Sequence, residues 1–164
     1  MAALVLAGCA QLPAENAIRR SPPALTQFEL VGRVVVRESQ SRHYANIAWR
    51  HDAARDEILL TTPLGQGVAE LSRDARGARL VTADGKSTVA ADWEGLAEEV
   101  FGTRLPLNDL PEWLAGHAPS LVSGWRVEYL EYQSDAPDAL PTLIEAQRGD
   151  IGLRLKVSEW VVAK

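Results

Sequence analysis

The sequence predicts a mainly β protein with two short α-helices, in which a curved antiparallel sheet or open barrel carries the helices across its mouth. Three observations support this fold class. Apolar and polar residues alternate with a period of two through most of the chain. Helical spacing of apolar residues is confined to two segments, and short turn-rich connections between the strands are typical of an antiparallel meander.

The first half of the chain is predicted to form strands only. Phe28 opens a run in which every second residue is apolar, with Glu29, Arg33 and Arg37 on the opposite face. Further strands are predicted at Ser41–Arg50, Arg55–Thr62, Gly67–Arg73, Gly77–Ala83 and Lys86–Ala91. Asp84-Gly85 predicts a type I′ turn before the last of these, because both residues tolerate a positive φ.

The period then changes to that of a helix. The apolar residues that carry this change are Trp93, Leu96, Ala97, Val100 and Phe101. Asp92 suits the N-cap and Gly102 the C-terminal position of this helix. A second short helix is predicted to be capped by Asn108 and ended by Gly116, with Pro111 in its first turn, where no intrahelical N–H bond is lost. Its apolar stripe consists of Leu107, Leu110, Trp113 and Leu114.

Strands return in the last quarter of the chain, at Trp125–Tyr132, Pro141–Arg148 and Ile151–Val157. The last two form a predicted hairpin that turns at Gly149-Asp150.

Composition describes an ordinary globular domain. The chain has 164 residues, of which 46% are hydrophobic and 24% charged, with a net charge of −5. The sequence has no run of Lys or Arg, which argues against nucleic acid as a partner. We expect one domain over residues 26–164, preceded by a remnant of a signal peptide at 1–8 and a flexible, proline-containing tether at 9–25.

The N-terminus resembles a lipoprotein signal. Leu6-Ala7-Gly8-Cys9 is a lipobox, and Cys9 is the only cysteine. Small residues before a cysteine at the end of an apolar run are cut by signal peptidase II, after which Cys9 would carry acyl chains and anchor the chain without a spanning helix. Residues 1–8 lack the basic region of such a signal, so we expect a start codon placed too late. An apolar terminus with a chance cysteine is the alternative.

The residues show no pattern typical of catalysis or of a bound cofactor. Motifs for nucleophilic hydrolysis, zinc proteases, phosphate loops and dinucleotide binding are absent from the sequence. His43 and His51 lie at opposite ends of one predicted strand, too far apart to share a metal. The acidic pairs Asp56-Glu57 and Glu98-Glu99 are interpreted as solvated faces. We therefore predict no enzyme activity, no cofactor and no metal.

One loop places an apolar residue where a polar one is expected. Pro63 and Gly65 predict a tight turn around Leu64. Leu64 either folds back onto the core or points outward as a probe for a membrane or a partner.

The chain resembles the LolB family, the outer-membrane lipoprotein receptors of Gram-negative bacteria. The most specific part of the resemblance combines the Pro63-Leu64-Gly65 loop with the Pro-Leu-x-x-Leu-x-x-Trp pattern of the second helix. The full set of matching segments is the lipobox Cys9, Phe28-x-Leu30-x-Gly32-Arg33, Tyr44 to Trp49, Asp56-x-Ile58-x-Leu60-x-x-Pro63-Leu64-Gly65, Gly102-x-x-Leu105-Pro106-Leu107-x-x-Leu110-x-x-Trp113-Leu114-x-Gly116, Gly124-Trp125-x-Val127-x-Tyr129 and Leu153-x-Leu155-x-Val157-x-x-Trp160.

The resemblance implies an incomplete β-barrel around an apolar cavity, closed by short helices. It implies a monomer that accepts lipoproteins from the periplasmic carrier LolA and places them in the outer membrane, with Leu64 promoting membrane insertion. Ala10 after the cysteine, in place of Asp, is similar to enterobacterial lipoproteins sent to the outer membrane. A tethered module that binds a small hydrophobic ligand without transferring it is the alternative function.

The expected lining of the cavity combines inward strand positions with the apolar faces of the helices. These candidates are Val34, Ile47, Trp49, Leu60, Leu71, Trp93, Leu96, Val100, Trp113, Trp125, Val127, Leu153 and Leu155. The chain departs from the family between Gly116 and Gly124, where too few residues remain for the hairpin that family members usually carry. We therefore expect about two strands fewer than the family's eleven.

Overall fold

A computed structural model describes residues 20–101, 105, 107–118, 121–122 and 124–162 of the chain. The first half forms strands β1 (Gln27–Glu38), β2 (Ser41–Asp52), β3 (Asp56–Thr61), β4 (Gly67–Asp74), β5 (Gly77–Thr82) and β6 (Ser87–Ala90). Two helices follow, α1 (Trp93–Phe101) and α2 (Leu110–Leu114). The second half adds β7 (Leu121–Val122), β8 (Trp125–Tyr132), β9 (Pro141–Arg148) and β10 (Ile151–Val162). The predicted fold class is confirmed.

The strands form one antiparallel sheet in the order β6-β5-β4-β3-β2-β1-β10-β9-β8-β7. Strands β1 to β6 pair in sequence order, and so do β7 to β10. The pairing of β10 with β1 joins the two halves. Among the described residues no pairing links the edge strands β6 and β7, so the sheet is an incomplete barrel. The two described residues of β7 lie between α2 and β8, where the chain is too short for the hairpin that family members usually carry. The described residues form ten strands, one more than the nine expected from the loss of two.

The last strand runs five residues beyond its predicted end. In the pairing of β1 with β10, Val31 lies opposite Glu159 whereas Gly32 lies opposite Val157, so Ser158 is an extra residue in a β-bulge. The bulge shifts the alternation by one residue and brings Trp160 to the inner face, which the period-two pattern did not reveal. A Cβ atom on Gly32 would lie 2.4 Å from the main-chain oxygen of Lys156, so the bulge requires glycine there.

Local signals at the first helix are confirmed. The side chain of Asp92 accepts a hydrogen bond from the N–H of Gly95 at 2.7 Å, as an N-cap does. Helix α1 packs on β5 and β6, where Leu96 and Ala97 are buried. Gly102, its expected C-terminal residue, lies outside the described residues.

The cap of the second helix was predicted at the wrong residue. The N-cap is Asp109, which makes no side-chain capping bond. Asn108 instead donates its amide to Glu94 of α1 at 3.4 Å, because the tertiary fold brings the two helices together. The end at Gly116 is confirmed, with φ at +94°. The N–H groups of Gly116 and His117 donate to the oxygens of Trp113 and Glu112, which is a Schellman motif.

The type I′ prediction for Asp84-Gly85 is wrong. Gly85 has a φ of +81°, but Asp84 is not among the residues with positive φ. The N–H of Gly85 donates to the oxygen of Thr82 at 2.8 Å, so Ala83 and Asp84 are the central residues of the turn. A turn of this kind, followed by glycine in the left-handed region, makes a three-residue hairpin connection.

Candidate functional site

Leu64 lies at the tip of the β3–β4 turn and is 90% exposed. Three hydrogen bonds close this turn: the N–H of Thr62 donates to Gln66 at 2.8 Å, that of Gly65 to Thr62 at 2.9 Å, and that of Gln66 to the Thr62 hydroxyl at 3.2 Å. Gly65 has a φ of +84° and completes the reversal. A well-hydrogen-bonded turn therefore presents one large apolar side chain to the outside, and the alternative in which Leu64 folds back is wrong.

The inner face of the sheet is covered by two clusters of apolar side chains. The main cluster joins the β1–β2 and β8–β10 region to α2, and the second joins β4 and β5 to α1. Most of the residues expected to line a cavity belong to one of these clusters or pack against it. They are Val34, Ile47, Trp49, Leu60, Trp113, Trp125, Val127, Leu153 and Leu155 in the main cluster, and Leu71, Trp93 and Leu96 in the second.

Val100 is the exception among these candidates. It lies in the last turn of α1, is 38% exposed and belongs to neither cluster. The helix packs on β5 and on the edge strand β6, where the described sheet ends. Helical spacing identifies the face of the helix but not the length of sheet available to cover it.

Among the described residues, apolar side chains of the sheet and of α2 pack against one another. The rings of Trp113 on α2 and Trp125 on β8, for example, lie 6.4 Å apart between centroids. A cavity of about 370 Å³ is lined mainly by polar and charged side chains, among them Arg37, Arg42 and Arg126, and also by Leu153, one of the residues expected to line a cavity.

A buried carboxylate connects the two apolar clusters. Asp56 is 1% exposed. Its Oδ1 contacts Trp49 Nε1 at 2.8 Å and His51 Nδ1 at 2.7 Å. Its Oδ2 accepts hydrogen bonds from Arg73 Nε at 2.6 Å and Trp93 Nε1 at 3.3 Å. The interpretation of Asp56-Glu57 as a solvated pair is therefore wrong for Asp56, although Glu57 lies on the outer face beside Arg50 and Arg55.

The sequence contained a signal for this burial. In β3, period-two alternation places Asp56 on the same face as Ile58 and Leu60, which pack against the core. His51 is its direct cross-strand partner. A carboxylate on an apolar face, opposite an inward histidine, needs partners inside the protein.

The surroundings of Asp56 hold it in the ionised form. Burial acts most strongly and raises the pKa of the carboxyl. The hydrogen bonds from His51, Trp49 and Arg73, together with the charge at His51, outweigh burial and leave the pKa below its ordinary value of 3.8. Through Trp93, this carboxylate attaches the start of α1 to the sheet.

The second helix is attached through Tyr129. Its hydroxyl donates to the main-chain oxygen of Trp113 at 2.8 Å and accepts from the N–H of Ala118 at 2.9 Å. Burial raises the pKa of Tyr129 to about 12, so the hydroxyl keeps its proton at physiological pH. Each helix is thus attached to the sheet by a polar side chain, the buried Asp56 for α1 and the half-buried Tyr129 for α2.

Part of the expected tether lies against the domain. Arg20 donates to the main-chain oxygens of Ser134 and Ala136 at 2.9 and 2.8 Å, and its guanidinium lies 4.1 Å from the centre of the Tyr132 ring. Pro22 is buried, and Leu25 packs against the main cluster. Residues 20–25 therefore belong to the packed domain, whereas Cys9 and Ala10 lie outside the described residues.

The described part of the chain holds neither a membrane-spanning helix nor a metal-binding cluster. No described helix has the length and apolar character needed to cross a bilayer. Within the same part of the chain, no three His, Cys, Asp or Glu side chains are grouped so that they could hold a metal ion.

Comparison with known proteins places the sequence among outer-membrane lipoproteins. The family model described as "Outer membrane lipoprotein LolB" matches residues 26–123 and 119–160. The protein named outer-membrane lipoprotein LolB in Azoarcus is 36% identical over 178 positions, covering 98% of this chain and 91% of the relative. The proteins of that name in Dechloromonas aromatica and Chromobacterium violaceum are 34% and 35% identical, covering 95% and 96% of this chain and 92% and 94% of their own.

The relatives differ from this chain in length within the matched span. The alignment with the Azoarcus relative spans 178 positions, more than the 164 residues of this chain, so that relative carries residues that this chain lacks. The family model matches in two stretches that overlap at residues 119–123, between α2 and β8.

Proposed function

The chain belongs to the LolB family of outer-membrane lipoproteins, and we propose that it receives lipoproteins from the periplasmic carrier LolA, holds their acyl chains in its apolar interior and inserts them into the outer membrane. The family acts in the localisation of lipoproteins and is not a family of enzymes. Three parts of this function are proposed: that LolA delivers the cargo, that the acyl chains bind in the apolar interior, and that the protein inserts them into the membrane.

Cys9 is the proposed point of attachment to the membrane. Lipidation at the lipobox would attach the chain to the periplasmic face of the outer membrane, with the residues that follow Cys9 as the tether. Arg20 already lies against the packed domain, where its side chain contacts the β8–β9 loop. The domain would therefore work close to the membrane that receives the cargo.

The observation that carries the insertion step is the exposure of Leu64. Moving one leucine side chain from water into a bilayer contributes about 2 kcal/mol, which corresponds to roughly thirty-fold in a binding constant. Contact of this strength forms and breaks readily. The Pro63-Leu64-Gly65 turn is thus suited to touch a membrane while cargo leaves, without fixing the domain there.

The inner face of the sheet is the proposed binding site of the acyl chains. Exposure of a chain to water costs about 0.8 kcal/mol per CH₂ group, so the chains must pass from one apolar environment to another. Displacement of α1 or α2 would open the two apolar clusters. The longest of the contacts on Asp56, from Trp93 of α1, is 3.3 Å and is the one that such a motion would break first.

Transfer from LolA would be driven by relative affinity. The periplasm contains no ATP, so the acceptor must bind acyl chains more tightly than the donor and less tightly than the membrane does. Each tenfold difference requires about 1.4 kcal/mol.

The proposal is tested with Leu64→Glu, made in the full-length chain carrying Cys9→Ala so that the protein is soluble. The variant is mixed with LolA loaded with a labelled lipoprotein, with and without liposomes. We expect uptake of cargo at the parent level and delivery to liposomes reduced at least tenfold. Val89→Glu is the matched control, because Val89 is also exposed, at 65%, but lies on the edge strand β6.

Each remaining outcome contradicts part of the proposal. Equal delivery by Leu64→Glu and Val89→Glu would show that Leu64 has no role in insertion. If the parent protein takes up no cargo from LolA, the transfer function is wrong and a tethered module that binds small hydrophobic ligands explains the fold better.

A further inference from the structure

The indole N–H of Trp125 differs from those of three other tryptophans in the chain. Trp49 and Trp93 donate theirs to Asp56, and Trp160 donates to the main-chain oxygen of Pro141 at 2.9 Å. Trp125 is 2% exposed, and its Nε1 is fully enclosed without a hydrogen-bond partner among the described residues. Buried donors in native proteins are nearly always paired, so an unpaired one needs a specific explanation.

The position of Trp125 indicates what this donor is for. The residue opens β8, next to the two-residue edge strand β7, and its side chain faces the main apolar cluster. Trp113 of α2 covers it from the helix side. The guanidinium of Arg148 lies 5.0 Å from the centre of its ring. The indole therefore lies one strand in from the described sheet edge at β7, between the sheet and α2.

We propose that Trp125 Nε1–H is the hydrogen-bond donor for the carbonyl oxygen at the head of a bound acyl chain. This inference rests on the proposed function, in which the apolar interior holds the acyl chains of a lipoprotein. An acyl chain is apolar except for the ester or amide carbonyl at its head, which accepts hydrogen bonds and donates none. A single neutral donor at the entrance of an apolar interior matches that chemistry.

The pairing would fix how the chain is held. With the carbonyl at Trp125, the methylene groups extend from the open edge towards the main cluster, and the lipoprotein polypeptide remains outside. The donor has no partner among the described residues, which is unfavourable, so a carbonyl bound there would remove that cost. The hydrogen bond from Trp125 would therefore favour an acyl chain over a plain hydrocarbon of the same length.

The experiment compares two probes that differ only in the carbonyl. Full-length protein with Cys9→Ala is titrated with a short-chain diacylglycerol and with the dialkyl ether of the same length, and dissociation constants are measured by calorimetry. A fatty amide forms a third arm that separates amide from ester recognition. We expect Trp125→Phe to weaken the ester about three- to ten-fold relative to its effect on the ether, as for loss of one neutral hydrogen bond.

Two further measurements distinguish loss of this hydrogen bond from a change in packing caused by Trp125→Phe. Trp160→Phe is the matched control, since its N–H is already paired with Pro141, and it should change the affinities for ester and ether equally. In the parent protein, the indole N–H resonance of Trp125 should move downfield on addition of the ester but not the ether. This measurement holds even if Trp125→Phe folds poorly.

The outcomes separate this inference from the function on which it rests. If the parent binds ester and ether but Trp125→Phe weakens both equally, and the Trp125 resonance does not distinguish them, the assignment of the donor is wrong. If the parent binds no acyl probe at all, the proposed function itself fails.

Discussion

Asp56→Ala is the substitution expected to damage the fold most. The variant leaves the contacting groups of Trp49, His51, Arg73 and Trp93 without their shared acceptor, in a site where Asp56 is 1% exposed. Breaking a buried ion pair by removing one partner costs about 3–5 kcal/mol. Domains of this size are stable by about 5–15 kcal/mol, so the variant should lose a large share of its free energy of unfolding.

The assay is urea unfolding of the Cys9→Ala protein, followed by tryptophan fluorescence and far-UV circular dichroism. Glu57→Ala is the matched control, because Glu57 is the next residue, lies on the outer face and pairs with Arg50 and Arg55 only in exposed ion pairs. It should cost less than about 1 kcal/mol. Native-state hydrogen exchange should also quicken in α1 of Asp56→Ala, because Trp93 is released.

The reasoning is refuted if Asp56→Ala is no less stable than Glu57→Ala. It is also refuted if the loss of stability is large but exchange in α1 does not change. In that case the carboxylate would matter to the β2–β4 strands alone and would not attach the helix.

Other substitutions and conditions give further tests. The folded-state pKa of Asp56 is lowered, so the contribution of its carboxylate to the free energy of unfolding is complete above the unfolded-state pKa near 3.8. This contribution is lost as pH falls through the folded-state pKa. The urea midpoint should therefore drop in that acid range, and it should drop less in Asp56→Asn. Tyr129→Phe should cost about 1–2 kcal/mol in urea unfolding, since two backbone groups around α2 lose their partner. Gly32→Ala should cost about 1–3 kcal/mol in the same assay, because the new Cβ lies 2.4 Å from the Lys156 oxygen, whereas Ala at Gly67, which has open space, serves as its control. Cys9→Ala should release a folded protein from membranes on fractionation, and loss of folding would show that the N-terminal segment stabilises the domain.

Local patterns determined the order and type of the elements. Period-two alternation located the long strands within about two residues at most ends, and the capping chemistry of Asp92 located the start of α1. These features depend on neighbours within a few positions along the chain, so they can be read without knowing the fold. The same holds for the tight turn at Pro63-Leu64-Gly65, which local turn chemistry predicts.

Contacts between residues far apart in sequence decided the features that local patterns did not predict. Whether Leu64 projects or folds back depends on what lies beside the turn, and Asn108 leaves the cap of α2 because Glu94 is near it in space. The bulge at Ser158 arises only in the pairing of β10 with β1, residues that lie at opposite ends of the domain.

The hydrogen bonding of the buried polar groups of Asp56 and Trp125 also depends on contacts between distant residues. The pair Asp56-Glu57 was predicted to be solvated, and only the folded sheet brings four partners to Asp56; in the described structure it brings none to the indole N–H of Trp125. The sequence by itself determined most of the apolar residues that face inward, because their direction follows from the pleat of a single strand wherever no bulge interrupts it. The tertiary structure decided which of them are satisfied, because hydrogen-bond partners come from strands and helices far apart in the chain.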